Sequence, residues 1–282
     1  MKLCRYGKNG FEKPGIIDAE GRLRDLSKVV ENIGPKELAP RGLKLLAKIK
    51  PETLALVANG PRMGVPFVGI GKFVAIGLNY SDHAKEAGMP IPPEPIVFMK
   101  ATTCISGPND DVIQPKRSTK LDWEVELGIV IGSKAQYVSE AEALEYVAGY
   151  CVVNDVSERA FQMATGQWDK GKSFDTAGPI GPWLVTTDEI KDPQILDMWL
   201  DVNGKRMQSG NTRTMIFNCA QIVSHVSHYM TLMPGDVICT GTPPGVGLGV
   251  KPNPVFLKPG DVMTLGISGL GEQKQKVVAY TG

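Results

Sequence analysis

The sequence lacks the features that mark several large classes of protein. Lys and Arg number 31 against 30 for Asp and Glu, so no surplus of charge favours nucleic acid or an anionic membrane as a partner. No run approaches the roughly eighteen apolar residues that a membrane span needs. The first ten residues, MKLCRYGKNG, hold no apolar stretch, so we expect no signal peptide. A small-molecule partner remains the simplest expectation.

Cysteine is also scarce and unpaired in pattern. The five cysteines are an odd number, are dispersed along the chain and form no C-x-x-C motif. This argues against a disulfide framework or a zinc knuckle. We expect buried, reduced thiols in a cytoplasmic protein.

Glycine and proline, in contrast, are abundant. The 32 Gly and 21 Pro together make 53 of the 282 residues, too many for a helical bundle or a coiled coil. A hydrophobic content of 42% is too high for a disordered chain. We predict a mixed, β-rich α+β fold, with a small N-terminal α+β domain over residues 1–70 and a second domain over 71–282.

Short β-rich runs alternate with turns along most of the chain, and helices are few. An amphipathic helix is predicted within 36–50, a short one after Ser81, and others at 139–145, 157–163 and 212–230. The predicted strands are 2–6, 13–18, 22–26, 73–76, 96–99, 125–131, 150–153, 198–202, 237–240, 262–267 and 276–280.

Two glutamates alternate with apolar residues in the segment WEVELGIVI. Side chains alternate across a strand, so Glu124 and Glu126 share one face and repel each other. Asp155 follows another apolar run, at the predicted end of a strand. This all-oxygen set suits Mg²⁺ or Mn²⁺, with Ca²⁺ as a replacement in a crystal. The spacing alone favours the alternative, a solvated outer face of an antiparallel strand.

His83 and Glu86 stand three residues apart in a short segment with helix signals. Ser81 suits the N-cap and Gly88 suits the residue after the helix. The pair can act as a general base, in which Glu86 orients His83 and His83 takes a proton from water. The proline-rich stretch 90–95 follows, so this helix resembles a mobile lid. A surface helix with a tolerated pair is the alternative.

The segment 166–173, GQWDKGKS, matches the phosphate-loop pattern but not its context. That motif needs a buried strand before it and a helix after it. Here a predicted helix precedes the segment and the turn-forming residues 174–179 follow it. We expect no nucleotide site, although Lys172 remains a candidate cation for a pocket lined by carboxylates.

Taken together, these segments resemble the fumarylacetoacetate hydrolase family. No single match is specific, but six occur in family order over residues 73–282. The matching segments are Gly77–Tyr80 with His83 and Glu86, Pro95–Lys100, Asp122–Leu127, Asn154–Arg159 with Gln162, Lys172–Asp175 and Thr240–Gly247.

The resemblance implies a β-roll or mixed β-sandwich catalytic domain, a homodimer and a divalent metal on Glu124, Glu126 and Asp155. It gives His83 and Glu86 the activation of water and places Lys172 and Gln162 beside the substrate. Four further residues enter as substrate-binding candidates: Tyr80, Lys100, Arg159 and Thr242. The family chemistry is hydrolysis of the C3–C4 bond of a 2,4-diketo acid, which releases pyruvate and a carboxylic acid.

Other segments of the sequence indicate a subgroup of the family and, with it, a class of substrate. The segments at 5–7, 13–15 and 169–179 look like the bacterial subgroup that acts on 2,4-diketo-3-deoxy sugar acids, often labelled ureidoglycolate lyase. This favours 2,4-diketo-3-deoxy-L-rhamnonate or -fuconate, followed by other acylpyruvates. The alternatives are a ureidoglycolate lyase or oxaloacetate decarboxylase on the same metal site, a nucleotide-binding protein and a non-catalytic binding protein.

Overall fold

The computed structural model describes residues 1–282, and it contains seventeen strands and six short helices. The strands are β1 (Lys2–Tyr6), β2 (Lys13–Ile17), β3 (Leu23–Asp25), β4 (Phe73–Gly77), β5 (Ile96–Lys100), β6 (Ile105–Ser106), β7 (Val112–Gln114), β8 (Leu121–Asp122), β9 (Val125–Ile131), β10 (Val147–Asn154), β11 (Ser157–Glu158), β12 (Gly178–Thr186), β13 (Asp197–Val202), β14 (Lys205–Asn211), β15 (Val237–Cys239), β16 (Val262–Ile267) and β17 (Gly271–Ala279). The α-helices are α1 (Pro35–Leu38), α2 (Pro40–Leu46), α3 (Ser81–Ala87), α4 (Arg159–Gln162), α5 (Asp169–Lys172) and α6 (Cys219–Tyr229).

Two sheets form most of the molecule, so the β-rich prediction is confirmed. The larger sheet has the order β3-β2-β1-β12-β10-β9-β15-β4-β5, with β6 beside β12. The smaller one has the order β14-β13-β16-β17-β7, and β8 pairs separately with β11. Strands β13, β16 and β17 pack against β9, β10 and β12, and this contact encloses the main core.

The centre of the large sheet is covered on both sides. Every residue of β9 and β10 is buried, including Glu126. The alternative in which this face is solvated is therefore wrong. A buried carboxylate needs compensating partners, and the position of β9 thus bears directly on function.

The N-terminal strands continue the large sheet. β1 pairs with β2 and, on its other side, with β12 in antiparallel register, Leu3 opposite Leu184. Backbone hydrogen bonds therefore join β1, in the predicted N-terminal domain, to β12, in the predicted second domain. The division into two domains at residue 70 stays a prediction.

Several predicted helices are shorter than the sequence pattern indicated. The segment 36–50 forms α1 and α2, which Pro40 separates because it begins the second helix. The predicted long helix 212–230 is a 3₁₀ turn at Thr212–Thr214 followed by α6, which Asn218 caps. Only a 3₁₀ turn, Ala143–Tyr146, forms near 139–145.

All five cysteines are buried and none is paired, as the sequence predicts. None of the helices combines the length and the apolar character that crossing a membrane would require.

Candidate active site

Three acidic side chains converge where β9 and β10 lie side by side. Val153 on β10 is paired with Glu126 on β9, and Asn154 with Val125. Beyond this pairing, the Asp155 amide donates to the Glu124 carbonyl at 2.9 Å. Ligand oxygens of Glu124, Glu126 and Asp155 all lie within 4.8 Å of one another, and all three residues are buried. The strand register thus builds the acidic cluster that the sequence predicts.

Basic side chains surround two of these carboxylates. Lys172 Nζ lies 2.7 Å from both Glu124 Oε2 and Asp155 Oδ2. Arg159 Nη2 lies 2.7 Å from Glu124 Oε1, and Lys100 Nζ lies 2.6 Å from Asp155 Oδ1. Glu124 and Asp155 therefore each have two cationic partners.

Glu126 differs from its neighbours because it has no cationic partner. Its single hydrogen-bond donor is the Gly241 amide, 2.7 Å from Oε2. Burial raises the pKa of Glu126 well above its ordinary value, and the charges of Asp155 and Glu124 add to this effect. Burial also acts on Glu124, but the charges of Lys172 and Arg159 outweigh it and hold the pKa of Glu124 below its ordinary value.

These residues fit a divalent cation. The three candidate ligands are hard oxygen donors, as Mg²⁺ and Mn²⁺ prefer. A bound cation would supply the positive charge that Glu126 lacks. We therefore describe the cluster as a divalent-metal site.

The histidine pair lies on α3, and the helix and its end before Gly88 are as the sequence predicts. The predicted N-cap is wrong by one residue: Tyr80 occupies that position, and Ser81 is the first helical residue and makes no side-chain capping bond. His83 Nδ1 is 3.0 Å from Glu86 Oε2. The Gly245 amide donates to Glu86 Oε1 at 3.1 Å and lies 3.3 Å from Oε2, which restrains the carboxylate. When Nδ1 carries the proton and donates to Glu86, Nε2 is left as an acceptor, the state that a general base requires.

One cavity of about 550 Å³ brings the two groups together. It is lined by the three acidic residues, by His83 and Glu86, and by four other predicted residues, Arg159, Gln162, Lys172 and Thr242. The surface alternative for the histidine pair is not supported, because both members face this cavity. The chemical roles of the lining residues stay predictions.

Two predicted substrate-binding residues lie outside the cavity. Lys100 is enclosed beneath Asp155, where it also donates to the carbonyls of Lys172 and Ala177. Tyr80 is fully buried, with its hydroxyl 3.2 Å from the Met198 sulfur. Both residues are buried and neither lines the cavity, so their contact with a substrate stays a prediction. Lys100 supports a metal-site carboxylate.

Asp122 is an important residue that the sequence reasoning did not single out. Its carboxylate accepts from Arg159 Nε at 2.8 Å and from the amides of Gly247 and Leu248 at 2.6 and 3.0 Å. It thus joins the arginine beside Glu124 to the loop that follows β15. The only available signal was its position directly before the Trp123–Ile131 alternation, which says nothing about these distant partners.

The segment that resembles a phosphate loop has a different architecture, as expected. Helix α5 is only four residues long and follows α4 closely. A Cβ at Gly171 would lie 2.5 Å from the Gln162 Cβ, so glycine allows the two helices to touch. Lys172, the lysine of the motif, points at carboxylates. The segment therefore does not form an anion site.

Fold and cavity together define a metal-dependent enzyme. Residues 72–278 match the model of the fumarylacetoacetate (FAA) hydrolase C-terminal domain. The chain belongs to the fumarylacetoacetate hydrolase family, which confirms the resemblance seen in the sequence.

Individual relatives agree with this assignment. The chain is 63% identical over 277 residues to a protein of Burkholderia orbicola (strain AU 1054) that is named only as a hydrolase, and the match covers 98% of each chain. The structure of the present chain is similar to that of fumarylacetoacetate hydrolase from psychrophilic Exiguobacterium antarcticum, with a TM-score of 0.89 and 35% identity. The match covers 99% of the present chain and 100% of the other. It is also similar to maleylpyruvate hydrolase from Sphingobium sp. SYK-6 in complex with manganese(II) and pyruvate, with a TM-score of 0.83, 28% identity and full coverage of both chains.

Proposed function

We propose that this protein hydrolyses the C3–C4 bond of a 2,4-diketo acid and releases pyruvate and a carboxylic acid. One observation carries the proposal: a buried acidic metal site and a hydrogen-bonded His83–Glu86 pair line the same cavity. The first suits the 2-oxo acid end of such a substrate, and the second suits activation of water at C4.

The bound cation, Mg²⁺ or Mn²⁺, would act as a Lewis acid and template for the 1-carboxylate and the 2-oxo group. Glu124, Glu126 and Asp155 would hold it. Lys172 and Arg159, each 2.7 Å from a Glu124 oxygen, favour the ionised form of Glu124.

His83 takes a proton from a water molecule, and Glu86 stabilises the imidazolium that forms. The water oxygen bonds to C4, and the C3–C4 bond then breaks with its electron pair on C3. The resulting pyruvate enolate takes up a proton at C3 and becomes pyruvate, while C4 leaves as the carboxylic acid. The bound cation and Lys172, which lies against Glu124 and Asp155, would stabilise the negative charge of the enolate. Arg159 Nη1 donates to Gln162 Oε1 at 3.0 Å and so orients this second residue of the cavity.

For the acyl part we propose the hydroxyalkyl chain of a 2,4-diketo-3-deoxy sugar acid, L-rhamnonate or L-fuconate. The support is the sequence resemblance in segments 5–7, 13–15 and 169–179. Maleylpyruvate hydrolase, one of the similar structures, makes a plain or unsaturated acylpyruvate the next candidate.

A substrate panel tests the proposal. Purified protein with Mg²⁺ or Mn²⁺ is given acetylpyruvate, fumarylpyruvate and the two deoxy sugar acids. Loss of the enol absorbance and release of pyruvate are followed together. We expect turnover that EDTA abolishes and that Mn²⁺ restores.

The Glu124→Ala/Glu126→Ala double variant should be inactive, whereas Glu140→Ala, on the exposed surface, should match the wild type. Activity that survives both EDTA and the double substitution would refute the metal assignment. Release of no pyruvate from any substrate would refute the hydrolase proposal.

A further inference from the structure

The segment 166–171, which has no part in the proposed chemistry, carries an aromatic side chain into the cavity. Trp168 directly precedes α5, and its carbonyl accepts from the Gly171 amide at 2.9 Å. Its side chain lines the cavity and is half-buried. The same short helix carries Lys172 into the site, so Trp168 and Lys172 are fixed relative to each other.

Trp168 is held by close packing on two strands. Its ring meets the Phe98 ring of β5 edge to face, with centroids 5.4 Å apart. A Cβ at Gly77 on β4 would overlap Trp168 Cζ3 and lie 3.0 Å from Cη2. Gly77 has a negative φ, so the glycine is needed here for space rather than for backbone conformation.

Phe98 extends this surface towards the metal site. Lys172 Nζ lies 5.7 Å from the centre of the Phe98 ring, and Phe98 also lines the cavity. Phe98 and Trp168 therefore form one aromatic wall that begins beside the ammonium group and leads away from it.

An aromatic wall suits only one part of a 2,4-diketo acid. The carboxylate and the 2-oxo group need charges and hydrogen-bond donors, which the metal site and the lining residues Arg159 and Lys172 would supply. The phenyl and indole rings present mainly apolar faces, so they favour contact with a carbon chain, whose burial removes apolar surface from water. The chain beyond C4 is the part of the substrate that remains.

We propose that Trp168 is a specificity-determining residue, which with Phe98 packs against the acyl group of the substrate and limits its size. This inference rests on the proposed function. The inference also assigns a role to the phosphate-loop-like segment. In this segment Trp168 packs against Gly77, and Gly171 allows α5 to contact α4 closely.

A series of acylpyruvates of increasing length tests the inference. The kcat/KM values for acetyl-, butanoyl- and hexanoylpyruvate are measured for the wild type and for Trp168→Ala. We expect the ratio of hexanoyl to acetyl to rise at least about tenfold in the variant, because hexanoyl has four more methylene groups and one methylene group alone can be discriminated about tenfold. A merely structural tryptophan would lower all three values equally.

Two further variants complete the experiment. Gly77→Ala keeps the indole but displaces it, so the ratio should change by at least about threefold. Trp199→Phe is the matched control: this tryptophan stacks on Arg206 away from the cavity, and the ratio should not change. Trp168→Phe replaces the alanine variant if that protein fails to fold.

The outcomes separate the two proposals. If the wild type cleaves the series and the ratio is unchanged in the folded Trp168 variant, the specificity inference is wrong and the hydrolase proposal stands. If the wild type releases pyruvate from none of the three compounds and from no substrate of the panel, both proposals are wrong. If it cleaves the deoxy sugar acids but none of the three compounds, the specificity inference is wrong and the hydrolase proposal stands. A changed ratio with unchanged Trp199→Phe behaviour supports the inference.

Discussion

Lys100 and Asp155 form an ion pair without access to solvent, with Nζ 2.6 Å from Oδ1 and 0% exposure of the lysine side chain. Burial disfavours the charged ammonium, yet the charge of Asp155 outweighs it and raises the pKa of Lys100 above its ordinary value. The pair connects β5 to the residue that follows β10, and so it connects an outer strand of the large sheet to the metal site.

Removal of Lys100 should damage both stability and metal binding. Lys100→Met leaves Asp155 without one of its two cationic partners in a dry environment. We expect a loss of about 3–5 kcal/mol in the free energy of unfolding, measured in urea. The double variant Lys100→Met/Asp155→Asn should recover part of that loss. Strict additivity of the two single effects would show that the pair is not energetically coupled.

Metal binding should stabilise the folded protein by mass action. At a Mn²⁺ concentration one hundred times its dissociation constant, the gain is about 2.7 kcal/mol, or about 5 °C in melting temperature for a chain of this size. Glu126→Gln should abolish most of this increase, and Glu140→Gln should retain it. An equal increase in the wild type and Glu126→Gln would show that the cation binds elsewhere.

The histidine pair should matter for hydrolysis but not for decarboxylation. His83→Ala removes the general base, so kcat for a diketo acid should fall about 10²–10⁴-fold. Decarboxylation of oxaloacetate needs no attacking water, and any such activity should largely persist. Calorimetry with Mn²⁺ provides the check that the metal site is intact. Equal loss of both activities, with metal binding unchanged, would contradict a specific role in activating water.

Substitution of Gly171 in the phosphate-loop-like segment should lower stability and activity, whereas substitution of Gly166 in the same segment should change neither. A Cβ at Gly171 would lie 2.6 Å from both the Gln162 nitrogen and the Glu158 oxygen, whereas nothing lies within 4 Å of a Cβ at Gly166. Gly171→Ala should cost about 1–3 kcal/mol and lower kcat/KM at least about tenfold, because it displaces Lys172. Gly166→Ala should stay within about 0.5 kcal/mol of the wild type. Comparable behaviour of the two variants would refute the packing argument.

The sequence predicted the elements with strong local patterns. The apolar alternation identified β9 with its observed ends, Val125 and Ile131, and placed Glu126 on the right strand. The helix signals between Ser81 and Gly88 identified α3 and its C-terminal end. In both cases the pattern is written within seven to nine residues of continuous chain.

Features that depend on distant contacts were not predictable in this way. The first five residues of β12, Gly178–Pro182, include two glycines and two prolines, and we predicted no strand there. Tertiary pairing with β1 and β10 makes the segment a strand. The roles of Lys100 and Asp122 depend on partners 37 to 126 residues away, and nothing in the local pattern encodes those distances.

The burial of all five thiols has a practical consequence. Burial raises the pKa of every one of them, so alkylating reagents meet no reactive thiolate on the native surface. Modification must wait for the molecule to open, locally or globally. Mass spectrometry after timed alkylation would therefore time that opening at five points of the core, without the introduction of any label.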